Sequence, residues 1–325
     1  MMLSYMAIIV IALLFLFIGA NKFIDGAVIV ARRLGMSSLM VGVVIIGFGT
    51  STPEIIVSSL AALDNSPGIA LGNAYGSNIV NIAFIIGITA IISPIIVQRK
   101  VIIIEMPILL ITAIISLILM YNGSLSRAGA SLLLLLFVAY MSYTFIQSSR
   151  ASTKSIMTPM AETPTHSDEN KHSLIKPILI LLIGLIAMMI GAKGFVFGAS
   201  SLAKLWGVSD LIIGLTIVSI GTSLPELFSS IVAATKRQHD MALGNIIGSN
   251  IFNTLVVVGI AGVINPIQAI DPMIIRRDIP VMLGFSLLLL IFALSFKKEY
   301  RISRIEGVIF LILYIAYLML LSKTL

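Results

Sequence analysis

The chain has 325 residues, 58% of them hydrophobic and only 11% charged, with a mean hydropathy of +1.11. That is far more apolar than a water-soluble domain, so the sequence reads as an all-α polytopic membrane protein. Its net charge of +7 is placed by loop topology and points to no nucleic-acid partner, and the absence of Cys excludes a disulfide framework or a thiolate metal site.

A hydrocarbon core ~30 Å thick takes roughly 20 helical residues to cross. Apolar runs of about that size follow one another along the chain. In the first half they are Leu3–Ala20, Leu39–Leu63, Ile69–Val97, Val101–Tyr121 and Ala128–Ile146. In the second half they are Leu174–Ser200, Val208–Thr235, Met241–Ile270, Pro272–Phe296 and Ile305–Leu321. Ten transmembrane helices are expected. The first run has no basic leader and no small-residue cleavage site, and is expected to stay as a span. Between the halves, Gln147–Ser173 is polar and reads as a flexible tether. The expected organisation is a first five-span repeat over 1–147, a cytoplasmic linker over 148–173 and a second repeat over 174–325.

The two halves are copies. Residues 41–83 align without a gap on 213–255, and 19 of the 43 positions are identical. GTSTPE at Gly49–Glu54 returns as GTSLPE at Gly221–Glu226, and ALGNAYGSNIVN at Ala70–Asn81 returns as ALGNIIGSNIFN at Ala242–Asn253. Five spans per half is an odd number, so the second copy enters the membrane from the opposite side. The expected arrangement is two inverted five-helix repeats around one central site. With the N-terminus outside, 14 Lys and Arg fall in cytoplasmic loops against five outside: Arg127, Lys204, Arg276, Arg277 and Lys323. This predicts a multi-pass protein of the cell (inner) membrane with its N-terminus out.

Pro53 cannot donate to the Gly49 carbonyl, so the second span opens there and leaves backbone oxygens unpaired. Such groups persist at membrane depth only where they line a polar cavity or are buried in protein. Glu54 beside it adds a mid-span carboxylate costing about 2.5–3.5 kcal/mol. Pro225 and Glu226 repeat the arrangement. A bound cation answers both costs. Thr50 and Glu54 share a helix face with Ser51 adjacent, and Ser77 and Asn81 share a face on the next span. There Gly72 and Gly76 are expected to allow close helix approach. The second copy supplies Thr222, Ser223, Glu226, Ser249 and Asn253. All are oxygen ligands, which suit hard cations such as Ca2+ and Na+ rather than zinc or copper. If both carboxylates are ionised, one Ca2+ neutralises them and three Na+ leave one positive charge. An empty pocket with two negative charges is the unfavourable state, which favours exchange.

The two motif pairs, GTS-x-PE and GN-x-x-GSN, resemble the alpha repeats of the calcium/cation antiporter superfamily, specifically its sodium/calcium exchanger family of prokaryotic type. The resemblance covers the whole chain. It implies a bundle in which spans 2, 3, 7 and 8 form the ion sites while long, tilted spans 1 and 6 slide. It implies Glu54 and Glu226 as central Ca2+ ligands, with carbonyls from Thr50 and Thr222. Ser51, Ser77, Ser223 and Ser249 would form flanking Na+ sites, joined by the carbonyls of Gly47 and Ser219. Some relatives carry Asp where this chain has Asn81 and Asn253, and Asn at both argues against K+ dependence.

The function expected is a secondary active Na+/Ca2+ antiporter working by alternating access, with three Na+ per Ca2+ and net charge movement. Its partners are Na+, Ca2+ and the lipid bilayer, with no cofactor. The alternatives are a Ca2+/H+ antiporter and, from another class, a cation channel. An intramembrane enzyme lacks support, because HExxH and GxSxG are both absent. Other polar residues read as structural. Asn73, Asn78, Asn245 and Asn250 are expected to pack helices, Lys22 to pair with Asp25, and Asp240 to cap a helix. Glu105 is expected to have no matching acid in the second half. His166, His172 and His239 are placed in loops, and Trp206 at the membrane interface.

Overall fold

The computed structural model describes residues 2–156, 174–207, 217, 219–294 and 300–323, apart from the side chains of 148–156, 219 and 323. The linker beyond Ile156 and most of the first half of the seventh expected span therefore lie outside the described residues. Helices account for nearly all of the rest. In the first half they are α1 (Met2–Leu34), α2 (Ser38–Thr50), α3 (Thr52–Leu63), α4 (Pro67–Ile92), α5 (Val101–Met120) and α6 (Arg127–Ile156). In the second half they are α7 (Ile175–Leu205), α8 (Ser219–Thr222), α9 (Leu224–Thr235), α10 (His239–Ile264), α11 (Ile274–Asp278 running into Ile279–Ala293) and α12 (Arg304–Lys323). Among the described residues seven helices are long and apolar enough to cross a membrane, or eight if the bent pair α2–α3 counts as one span.

The first helix corrects the sequence reading. It continues past Ala20 to Leu34, because Asn21, Lys22 and Asp25 lower the hydropathy without breaking the helix. At ~1.5 Å per residue its 33 residues reach ~50 Å, more than a bilayer core needs. Gly35 stops it in a left-handed conformation (φ 64°), with the Met36 amide donating back to the Ala31 carbonyl at 2.9 Å. Ser37 then caps α2, its hydroxyl accepting from the Met40 amide at 3.2 Å.

The turn chemistry is duplicated. Gly207 ends α7 with φ 78°, matching Gly35, and the left-handed residues Asn65 (φ 54°) and Arg237 (φ 59°) occupy corresponding positions after α3 and α9. At both, the next amide reaches back at 2.8 Å, Ser66 to Ala61 and Gln238 to Ala233. Contacts between the halves are reciprocal as well. Strand β1 (Ile95–Ile96) pairs antiparallel with β2 (Arg301–Ile302), and Ile267, the counterpart of Ile95, makes an isolated antiparallel bridge with Leu125.

Helices α4 and α10 are mostly buried, whereas under a third of the residues in the most apolar stretch of α1, α7 and α12 are buried. Glycines set the approach of α1 to α7. A Cβ on Gly184 would stand 2.4 Å from the Phe23 amide nitrogen, and one on Gly19 2.8 Å from the Gly184 carbonyl. Side chains are thereby excluded and the two long backbones touch.

At Gly72 and Gly76, expected to allow close helix approach, a Cβ meets nothing within 4 Å among the described residues, and residues 211–215, which correspond to Leu39–Val43, lie outside them. Their second-copy counterparts do pack closely. A Cβ on Gly244 would meet the Leu39 carbonyl at 2.7 Å and one on Gly248 the Val43 Cα at 2.8 Å, so α10 lies against α2.

Candidate ion-binding site

The helix break predicted from Pro53 is present and lies two residues before the proline. Ser51 has φ −83° and ψ 4°, separating α2 from α3, which meet at 45°. Ser223 repeats this with φ −90° and ψ 8° before Pro225. Pro53 and Pro225 both fall in the first turn of the helix that follows, where a missing amide costs nothing. Each serine stands at a capping position, yet neither hydroxyl caps its helix. Ser51 instead donates across to Oε1 of Glu226 at 3.4 Å.

That bond brings the two copies of the motif together. Glu54 and Glu226 are each 1% exposed and lie within electrostatic reach of one another. Two further contacts join the halves here. The Thr50 hydroxyl donates to Asn245 Oδ1 at 3.1 Å, and the Ser249 hydroxyl to the Gly47 carbonyl at 3.4 Å. The same hydroxyl lies 3.0 Å from the Ile46 carbonyl, so its single proton is shared between its own helix and Asn245.

The remaining expected site residues flank this centre. Ser77 and Asn81 are buried on α4, and Asn81 donates to Asn250 Oδ1 at 2.9 Å. Asn253 is buried on α10, and neither of its amide atoms has a partner among the described residues. Thr222 is half-buried at the end of α8 and lines a 460 Å3 cavity with Pro53 and Lys193. Ser219 begins α8, its side chain outside the description.

Apart from Asn253 Nδ2, a donor, the unmet bonding capacity of the site lies on oxygen atoms. Among the described residues both oxygens of Glu54, Oε2 of Glu226, Oδ1 of Asn81, Oδ1 of Asn253 and the Ser223 hydroxyl are buried without a hydrogen-bond partner. Orphaned buried groups cost ~1–3 kcal/mol each, and charged ones more. Almost all of these are acceptors, so a cation satisfies them where another acceptor would not. No cluster of three His, Cys, Asp or Glu occurs among the described residues. The set therefore suits a hard cation held by two carboxylates, hydroxyls, amides and carbonyls.

Helices α4 and α10 contain short π-helical segments, Val80–Ile85 and Asn253–Val257, which begin beside Asn81 and at Asn253. Such wide turns concentrate at functional sites. No Gly or Pro marks them in the sequence, so nothing there could have placed them.

Asn73 and Asn245, read from sequence as packing residues, act on the site itself. Asn73 donates to the Glu54 carbonyl at 3.2 Å and to Ser58 at 2.9 Å. Asn245 donates to the Glu226 carbonyl at 3.2 Å and lies 3.0 Å and 2.8 Å from the hydroxyls of Ser229 and Ser230. The signal was available: Ser58 and Ser230 match in the aligned copies, one helical turn past each glutamate. Asn78 and Asn250 also join a polar network, Asn78 donating to Thr254 at 2.9 Å and Asn250 to the Asn78 carbonyl at 3.3 Å.

Other readings need correction. Asp25 pairs with Lys236 of the second half at 2.7 Å, not with Lys22. Asp240 sits within the first turn of α10, where Gln98 donates to it, and the cap position belongs to Gln238. His239 opens that helix rather than lying in a loop, while His166 and His172 lie outside the described residues.

Glu105 does have a counterpart. One extra residue between Pro266 and Pro280 shifts the register, and Asp278 then matches Glu105. Each ends a π-helical segment and accepts from a tyrosine of the last helix in its half: Tyr140 to Glu105 at 2.7 Å and Tyr317 to Asp278 at 3.0 Å.

Comparison with known proteins agrees with this geometry. The family model described as sodium/calcium exchanger protein matches residues 4–146 and 176–323. The sodium/calcium exchanger MaX1 of Methanosarcina acetivorans is 33% identical over 97% of each chain. The inner membrane protein YrbG of Escherichia coli is 37% identical over 88% of each. A structure of the sodium-calcium exchanger NCX_Mj, soaked with Na+ and Ca2+, superposes with a TM-score of 0.82 at 32% identity, covering 98% of this chain and 99% of that one. The chain belongs to the sodium/calcium exchanger protein family.

Proposed function

We propose that the protein is a secondary active Na+/Ca2+ antiporter that binds one Ca2+ or three Na+ in alternation at a single site. The observation that carries this reading is the buried pair Glu54 and Glu226, where three of four carboxylate oxygens lack a protein partner among the described residues. Relatives named as sodium/calcium exchangers support the choice of ions. Glu54 and Glu226 would hold Ca2+ centrally with the carbonyls of Thr50 and Thr222. Ser51, Ser77, Ser223, Ser249, Asn81 and Asn253, with the carbonyls of Gly47 and Ser219, would complete the flanking Na+ positions.

Coupling then follows from charge. With two ionised carboxylates, a Ca2+ load is neutral and a three-Na+ load carries one positive charge, so each full cycle moves net charge. Two unpaired negative charges in a buried site are the costly state, which restrains the empty carrier from crossing. The glycine-lined contact packs α1 and α7 closely together, so that the two long helices can move past the central bundle as one pair.

The topology that fits is ten spans in two inverted five-helix repeats in the inner membrane, N-terminus outside. The matched turns at Gly35 and Gly207 and the reciprocal pairing of Ile95 with Ile302 and Ile267 with Leu125 support the pseudo-two-fold relation.

The test is Ca2+ accumulation by purified protein in liposomes under an imposed Na+ gradient. Uphill uptake driven by Na+ is the expected result. Uptake that follows an imposed pH gradient and ignores Na+ replaces this reading with Ca2+/H+ exchange, and passive flux without coupling replaces it with a channel.

A further inference from the structure

Asn245 stands where neither copy of the motif is complete without the other. Its Oδ1 accepts from Thr50 of the first half, and its amide nitrogen donates to the carbonyl of Glu226 in its own half. Both partners are ion-ligand candidates, and one planar side chain fixes their separation. Asn245 is fully buried.

The same carbonyl of Glu226 takes a second donor, the Ser229 hydroxyl at 3.1 Å, and Ser229 also meets Asn245 at 3.0 Å. The first copy has Val57 at the position of Ser229. There the Glu54 carbonyl is held by Asn73. The second half-site is thus braced by a hydroxyl that the first copy's side chain cannot supply.

Resting on the antiporter reading above, we infer that Asn245, braced by Ser229, is a positioning residue that sets Ca2+ affinity by fixing Thr50 and Glu226 against each other across the two repeats. In this role both act through the ligands rather than as ligands. Their effect passes through the first helical turn around Glu226 and through the Thr50 hydroxyl, beside the break at Ser51. Partners that orient metal ligands in this way are worth ~10–100-fold in affinity when removed.

The experiment uses the full chain in detergent and in liposomes. Thermal melting is followed against Ca2+ and, separately, Na+ concentration, alongside Ca2+ uptake at rising Ca2+. Asn245→Leu, close in shape but without either bond, is expected to need about 10–100-fold more Ca2+ for half-maximal uptake and for the melting shift. Its maximal rate should stay within a few-fold of wild type. Ser229→Val, which installs the first copy's residue, is expected to give a smaller rise in the same direction, and Ser229→Thr to restore it. Should Asn245→Leu fail to fold, the Ser229 pair carries the test. Half-saturating Ca2+ unchanged in the folded variants, or a loss confined to melting temperature and maximal rate, overturns the inference. A wild-type protein with no melting response to Ca2+ or Na+ overturns the antiporter reading itself, which is a separate outcome.

Discussion

The two half-sites are built from the same motif but are held differently. In the first, the backbone bends at Ser51, and both oxygens of Glu54 lack a partner among the described residues. In the second, the bend falls at Ser223, but Glu226 receives Ser51 on one oxygen and two donors on its carbonyl. Gly244 and Gly248 are pressed against α2, whereas Gly72 and Gly76 meet nothing within 4 Å among the described residues. Val57 stands where the second copy has Ser229, so the Glu226 carbonyl takes a hydroxyl donor that the first copy's residue at that position cannot supply.

The harshest way to break the comparison is to remove one charge from either wall. Glu54→Gln and Glu226→Gln are each expected to lower Na+-driven Ca2+ uptake by at least about 100-fold while the protein still purifies as a folded species. Uptake measured in liposomes checks this, and full activity in either variant removes the shared site. A milder test compares equivalent glycines. Gly248→Ala would force a Cβ to 2.8 Å from Val43 and should cost about 1–3 kcal/mol of stability, read by thermal melting. Gly76→Ala should change melting far less.

Asn253→Asp sharpens the comparison chemically by adding a third acid on the second side only. It is expected to change Na+ dependence or introduce pH dependence of uptake while leaving Ca2+ binding intact. Identical ion dependence would assign Asn253 to packing. The smallest effect on transport is expected at the outer acid–tyrosine pairs. Tyr140→Phe removes one hydrogen bond to Glu105 and should cost ~1–3 kcal/mol by melting, with uptake kinetics unchanged.

Much of the site was legible because its cost is visible in the sequence. A proline and a glutamate side by side within an apolar span, twice, have few physical explanations. The break at Ser51 and the approach of Ser51 to Glu226 agree with that reasoning. What escaped detection depends on tertiary context. The continuation of α1 past Ala20 was hidden because Asn21, Lys22 and Asp25 look like the end of a span, yet no helix-stopping residue occurs before Gly35. The match of Glu105 with Asp278 was hidden by one inserted residue before Pro280. The roles of Asn73 and Asn245 follow from which carbonyls lie within reach, which spacing along a helix does not reveal.

The central claim is that Glu54 and Glu226 form one site that takes Ca2+ and Na+ in turn. The most direct measurement is radiolabelled Ca2+ uptake by wild-type, Glu54→Gln and Glu226→Gln protein in liposomes loaded with Na+, with membrane potential clamped. Wild-type protein should accumulate Ca2+ above its external concentration until the Na+ gradient is dissipated, and both variants should remain at the level of empty liposomes. Sodium-independent accumulation, or uphill uptake by either variant at the wild-type rate, would contradict the claim.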